Sequence, residues 1–490
     1  MGLSGWSIKS KLSYPLLVGL LAGLYPVLFY ASNNYGLINS WGHFWFFVLR
    51  FLMLPMALAV LGCYGFSWQR IKVLQHYYLP FLGMGLFLFF IKVTLLEAPH
   101  RKITLAIVVV SGLYSYFFGQ HHKKIMVIQF LMVLMGGVTF SAQVYHSLNL
   151  SHQWKVPVDD ITTLALKNRP NIYVLQPDGL VNFSELSRGY YQMNGENFRA
   201  ALTAQGFVHY DDFRTNYAST LSSNSSLLMM KHHYYNNGKS FSEAIDARES
   251  IITNNQVLNV LDHNGYTSHF ISEAPYLLAN HPELGFDTAN FSYEAIGYLS
   301  QGFNLRAEVN QELSALMDPN NKAPQFYFVQ YFNPGHIHSE PASSLGALQE
   351  AELWYESMQR GQIKTNDLVE TILARDPEAL IMIIGDHGGF VGMNYTNEIY
   401  QKTQDRDLIY SIFSSQLSVR WPEQIKPDVA IPFTTSVNVF RLLFAHLGQA
   451  PEYAQNLAPD TSYVILKDDM HDGVYQYLND QGLVVCEKHE

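Results

Sequence analysis

ALIMIIGDHGG, residues 379–389, reads as a strand that ends in chemistry. Its apolar run does not alternate, as expected of a parallel strand covered by helices on both faces. Asp386 and His387 follow at its carboxyl end, and the Gly388-Gly389 pair already supplies turn flexibility, so neither polar residue is needed as a turn former. Three other runs have the same character: NIYVLQ (171–176), YTSHFIS (266–272) and FYFVQYF (326–332). Helical candidates fall between and around them, at about 195–205, 220–231, 254–264, 343–374 and 436–448. Strands alternating with helices over this length predict one α/β domain, 171–490, built on a central, mostly parallel sheet. Residues 143–170 read as a linker leading into its first strand.

The chain before that linker has a different composition. Charged residues are 15% of the 490, against about 25% for an ordinary soluble domain. Residues 1–150 hold ten Lys or Arg and one acid, Glu97, leaving 21 basic and 40 acidic groups to the rest. A net +9 apolar third is thus joined to a net −19 polar remainder. That excludes a purely soluble enzyme and a disordered chain, and the acidic part has the wrong sign for nucleic acid. Apolar runs at 13–32, 43–65, 78–96, 103–119 and 125–142 predict a transmembrane domain of five helices over 1–142. The first run follows Lys9 and Lys11, lacks a small-x-small cleavage site and reads as an uncleaved anchor. Lys9, Lys11, Arg70, Lys72, Lys123 and Lys124 against Arg101 and Lys102 put the N-terminus inside. Five spans then carry 171–490 across the inner membrane to the periplasmic or extracellular side, where ATP is absent and any transferred group must come from a lipid or another activated envelope molecule. The two cysteines, Cys63 and Cys486, fall in different parts and define no disulfide framework.

Open α/β sheets bind ligands at the carboxyl ends of their strands. There the first strong run delivers Asp178 through QPDG, the third delivers His336 and His338 through NPGHIHSEP, and the last delivers Asp386 and His387. One acid after a strand is ordinarily a turn or a helix cap. Three converging ends point to a metal site. In RTNYASTLSSNSSLLMMKHHYY (214–235), Ser219 and Thr220 stand before a helical apolar pattern. A hydroxyl there is ordinarily an N-cap, the reading that suits Ser219. Thr220, at a helix N-terminus next to a divalent cation, would have its hydroxyl activated and face a place suited to phosphate. Lys231, His232 and His233 form either a solvated helix end or a contact to an anionic substrate. Arg50 and Lys92, inside the second and third apolar runs, either snorkel to the interface or clamp a lipid phosphate.

The ordered set PDG, NYxST, PxHxH and GDHGG resembles the alkaline phosphatase and sulfatase superfamily, and the helical anchor makes the chain similar to its membrane-bound phosphoethanolamine and phosphoglycerol transferases. The resemblance implies a metal site of Asp178, Thr220, Asp386 and His387, with Thr220 also the nucleophile. It implies that His336, or else His338, contacts the substrate phosphate or protonates the leaving group. A sulfatase's C/S-x-P-x-R motif is missing around residue 220, so sulfate-ester hydrolysis is not expected. The expectation is a transferase that uses one Mn or Zn ion to move a phospho-alcohol group from a membrane phospholipid to an envelope glycan or lipid through phospho-threonine. A phosphodiesterase of the same superfamily and a non-catalytic membrane protein with this fold are the alternatives.

Overall fold

A computed structural model describes residues 8–66, 72–96, 100–237, 243–318, 321–468 and 470–489. Arg70 and Glu97, which enter the charge asymmetry, lie outside the described residues. The chain forms two compact units. One is residues 1–149 with 279–281 and 297–301, and the other is the remainder from 150 on.

Within the first unit, four helical stretches among the described residues are long and apolar enough to cross a membrane: Leu12–Asn33, Trp41–Gly65, Gln75–Leu95 and Arg101–Leu148. The sequence predicts five. The difference lies in the last stretch, 48 residues long, where the predicted fourth and fifth spans are joined by the 3-10 turn Gly119–His121, flanked by non-helical backbone angles at Phe118 and His121. The second stretch contains a π-helical segment, Val48–Met53, that carries Arg50. Gly19 and Gly23 let the first helix meet the backbone of the second stretch at Met56 and Phe51, an approach that any side chain would prevent.

In the second unit all four predicted strands form, and they lie side by side. The described strands are β1 (Ile172–Pro177), β2 (Phe207–His209), β3 (Thr267–Ser272), β4 (Thr288–Ala289), β5 (Gln325–Tyr331), β6 (Leu380–Ile384) and β7 (Leu417–Arg420), in the order β2-β7-β6-β1-β5-β3-β4. The pairs β6-β1, β1-β5, β5-β3 and β3-β4 are parallel, and β7 runs antiparallel to both its neighbours. Every residue of β1, β5 and β6 is buried, which is why these runs show no alternation. Val174, Phe270, Phe328 and Met382 join a core with the helices Thr220–Met229, Gln256–His263 and Val439–Gly448. On the other face Tyr173, Leu175, Val329, Ile381 and Ile383 pack with Glu196–Ala204, Ala347–Arg375 and Arg406–Phe413. A three-stranded antiparallel sheet, β8 (Ser462–Lys467), β9 (Asp472–Leu478) and β10 (Val484–Lys488), completes this unit. Ahead of β1, residues 143–148 continue the last membrane-type helix, and Trp154, Ile161, Leu164 and Leu166 are buried in the second unit.

Candidate metal and phosphate site

The parallel register sets the carboxyl ends of β6, β1 and β5 next to one another, and their loops are bonded together. The Asp178 amide donates to the Tyr331 carbonyl at 2.8 Å, and the Gly335 amide donates back to the Asp178 carbonyl at 2.8 Å. Gly179, at φ +68°, packs on the Gly335 carbonyl where a Cβ has no room. Its amide donates to Asp386 Oδ1 at 3.1 Å. Gly389 lies against the Trp354 indole, whose nitrogen donates to that same Gly335 carbonyl at 2.9 Å. Gly388 likewise lies against the Ser411 carbonyl, so the pair is required by close approach, and neither has a positive φ.

These loops bring Asp178, Asp386 and His387 together, with ligand atoms all within 4.8 Å of one another. All three side chains are buried. His387 Nδ1 donates to the Gly388 carbonyl at 2.8 Å, so Nε2 is the atom turned to the carboxylates, 3.6 Å from Asp386 Oδ2 and 3.9 Å from Asp178 Oδ1. Asp178 Oδ1 and Asp386 Oδ2 are buried without a hydrogen-bond partner. Two orphaned carboxylate oxygens facing an imidazole nitrogen are costly to bury unless a cation is shared among them. The residues fit a divalent ion. Burial, and then the neighbouring Asp386, push the Asp178 carboxyl up to about 7, with His387 and the Thr220 hydroxyl pulling the other way. For His387 burial works against the charged ring, but Asp386, Asp178 and the Gly388 carbonyl together outweigh it and raise its pKa.

The hydroxyl pair resolves into two roles. Ser219 has extended backbone and its side chain accepts from the Ser222 amide at 3.4 Å, so it is the helix N-cap. Thr220 is the first helical residue, and its Oγ1 lies 3.5 Å from Asp178 Oδ2 and 3.4 Å from His387 Nε2. One turn further on, Asn224 and Gln176 exchange two amide hydrogen bonds, at 2.6 and 2.7 Å, both side chains fully buried. Thr220 and Asn224 share a helix face, and Gln176 and Asp178 share a strand face. The amide pair thus fixes the helix against the strand directly beneath the site. Sequence reasoning missed it, because an Asn amid serines carries no periodic signal.

The other predicted residues distribute differently. The His336 ring lies 5.8 Å from that of His387, centroid to centroid. His338 is bonded through Nδ1 to Glu350, on a helix whose acids gave no functional signal in the sequence. Lys231 donates to the Gln153 and Val156 carbonyls, each at 2.9 Å, and His232 is held between the Tyr217 hydroxyl and the Pro459 carbonyl. Burial pushes His232 down to about 4, so its ring is neutral at ordinary pH. Arg50 and Lys92 belong to the membrane unit, where Arg50 is exposed and the buried Lys92 has its ammonium 5.6 Å from the Phe89 ring centroid.

No protein-family model and no curated protein matches the chain. Among solved structures it is similar to the C-terminal periplasmic domain of EptC from Escherichia coli in complex with Zn, at 11% identity and a TM-score of 0.45 over 64% of this chain and 94% of that one. It is also similar to the lipoteichoic acid synthase LtaP from Listeria monocytogenes, at 10% and 0.41 over 66% of this chain and 91% of that one. For the phosphonate monoester hydrolase of Agrobacterium radiobacter the values are 12% and 0.40, over 61% and 81%. Likenesses at these scores carry no functional argument; the chain's own residues have to supply it.

Proposed function

We propose that the chain is a metal-dependent phosphotransferase that takes a phospho-alcohol group, phosphoethanolamine or phosphoglycerol, from a membrane phospholipid and delivers it to an envelope glycan or lipid. The observation that carries this is the convergence of a helix-terminal hydroxyl, Thr220, on two orphaned carboxylate oxygens and an imidazole at the carboxyl edge of a parallel sheet. The motif resemblance to the alkaline phosphatase and sulfatase superfamily supports the same reading.

Asp178, Asp386 and His387, with the Thr220 oxygen, would hold one Mn or Zn ion, a mostly oxygen donor set with one nitrogen. When bound, the ion supplies the charge that activates the hydroxyl and neutralises a substrate phosphate. Thr220 Oγ1 attacks phosphorus as the bond to the lipid alcohol oxygen breaks and a diacylglycerol departs, leaving a phospho-threonine that still carries the head-group alcohol. The helix N-terminus presents its unpaired amides to the phosphate. His336, beside His387, is placed to contact a phosphate oxygen. An acceptor hydroxyl then releases the group and restores Thr220.

The membrane unit supplies access to the donor. We read its 48-residue stretch as two crossings. Ser115 bonds to the Tyr77 carbonyl, so Arg101–Phe118 runs back along Gln75–Leu95, and Met126 then packs with Val18 and Leu21 as the chain turns to follow the first helix. With the N-terminus inside, five crossings place the catalytic unit on the periplasmic or extracellular face of the inner membrane. The test is the intact mass of the metal-loaded, detergent-purified protein after brief exposure to phosphatidylethanolamine or phosphatidylglycerol, followed by fragment mapping. An adduct of the head-group phosphate on Thr220 is expected; an adduct on Ser219, or none with the ion bound, would overturn the assignment.

A further inference from the structure

The helix Thr220–Met229 meets the sheet on the face that carries Thr220 and Asn224, and its far face is held by a histidine that the proposed reaction leaves unused. At about 100° per residue, Ser222 stands about 200° round the helix from Thr220. The buried His233 binds there, its Nε2 donating to the Ser222 carbonyl at 2.9 Å. His233 Nδ1 accepts from the Tyr235 amide at 2.8 Å, which leaves the ring proton on Nε2. Burial, above all, pushes His233 down to about 3, so the neutral ring and its tautomer hold at ordinary pH.

The backbone that delivers this ring is strained. Met230 ends the helix at φ +51°, and Tyr234, Tyr235 and Asn236 take φ +45°, +48° and +59°, all in the left-handed region that residues with a Cβ avoid. Such backbone persists only where the surroundings over-determine it. Here they do. The His233 ring lies on that of Tyr217, with centroids 3.9 Å apart, and the Trp154 ring meets it edge-on at 5.5 Å. The Tyr217 hydroxyl accepts from the Tyr234 amide at 2.9 Å, and the Tyr217 carbonyl accepts from the Ser223 hydroxyl at 3.2 Å. Trp154 is itself fastened, since the Gln153 and Val156 carbonyls on either side both accept from Lys231.

We propose that His233 is a positioning residue of this site: by holding the Ser222 carbonyl it fixes the first turn of the helix, and with it the Thr220 oxygen, against the metal ligands. The proposal rests on the phosphotransferase reading. Asn224, bonded to Gln176, fixes the helix one turn further on and from the sheet side. That clamp alone leaves the first turn free to fray, because the opening amides of a helix have no intrahelical partner. A second clamp on the opposite face defines where Oγ1 stands, 3.5 Å from Asp178 Oδ2 and 3.4 Å from His387 Nε2. Both His233 nitrogens are committed to backbone, so the residue exchanges no proton and acts only through the helix.

The experiment uses the full chain in detergent, loaded with Mn or Zn, and the p-nitrophenyl diesters of phosphoethanolamine and phosphoglycerol. Nitrophenolate released in a single turnover reports attack by Thr220. Three replacements separate the hydrogen bond from the packing. His233→Gln sets an amide N–H where Nε2 stood, His233→Asn sets its amide near Nδ1 and short of the Ser222 carbonyl, and His233→Phe keeps a flat ring on Tyr217 with no donor. The maximal single-turnover rate is expected to fall about 100-fold in His233→Asn and His233→Phe and to stay within about threefold of wild type in His233→Gln, the scale of a reacting group set out of place. Bound metal and the substrate concentration at half-maximal rate are expected to stay at their wild-type values. A merely structural role would lower the thermal midpoint and leave the rate per metal-loaded molecule unchanged. That result, or equal rates in His233→Gln and His233→Asn, would overturn the proposal while leaving the phosphotransferase reading in place, and this pair decides even where His233→Phe does not fold. Release of nitrophenolate from neither diester by the metal-loaded wild type would overturn both.

Discussion

Thr220 and Ser219 are adjacent hydroxyls with separate duties, and substitution should separate them. Ser219→Ala removes the cap and is expected to cost about 1 kcal/mol of stability with activity kept. Thr220→Ala is expected to abolish turnover while leaving the thermal midpoint within a few degrees. Activity and unfolding measured on the same two variants check both statements. The acidic pair makes a pH prediction as well. In metal-free protein the folded pKa of Asp178, lifted to about 7, exceeds its unfolded value of 3.8. The native state therefore binds more protons between about pH 4 and 7, and stability falls as pH rises through that window. His387, whose folded pKa is also raised, adds stability that is present below its unfolded value of 6.5 and lost as pH rises through the folded one, so its effect has the same sign. Chelated protein is expected to melt lower at pH 7.5 than at pH 5, and added Mn or Zn should raise the midpoint more at pH 7.5. The opposite ordering would count against a cation shared by these groups.

The elements that hold the site depend on a buried contact between helix and strand. Asn224→Leu leaves the Gln176 amide unpaired in the core and is expected to cost about 2 kcal/mol, seen as a lower urea midpoint. Gln176→Met combined with Asn224→Leu removes both polar groups and should regain part of that loss, since paired replacement is milder than orphaning one partner. The strands that carry ligands were legible in the sequence because β1, β3, β5 and β6 are long, apolar and buried. The flanking β2, β4 and β7 have three, two and four residues, too short for any period to register. Asp178, Asp386 and His387 were legible because they end such strands. Glu350 was not, because one acid in a 29-residue amphipathic helix looks like any other until His338 is found folded against it.

Across the whole chain, the separation of a basic apolar part from an acidic part was plain from composition, and the described residues form a membrane-type unit and an α/β unit accordingly. The number of spans was less legible. GQHHKK, 119–124, is polar enough to break a hydropathy window, yet its residues keep helical hydrogen bonding through a 3-10 turn. Topology tests the reading directly. A reporter active only in the cytoplasm, fused after residue 490, is expected to be silent, and one fused within 119–124 is expected to be active. If instead the 48-residue stretch crosses once, the reporter within 119–124 falls inside a membrane segment and the one after residue 490 becomes active.

The packed glycines have a consequence for how such a protein can diversify. With Gly179 seated on the Gly335 carbonyl and Gly389 on the Trp354 indole, not even a methyl group can be added where the ligand loops meet. Drift is barred there. A mutational library drawn across those positions would return unfolded chains in place of altered preferences, and variation in what the site accepts has to be written into the surrounding walls, around a kernel that is inherited whole or lost.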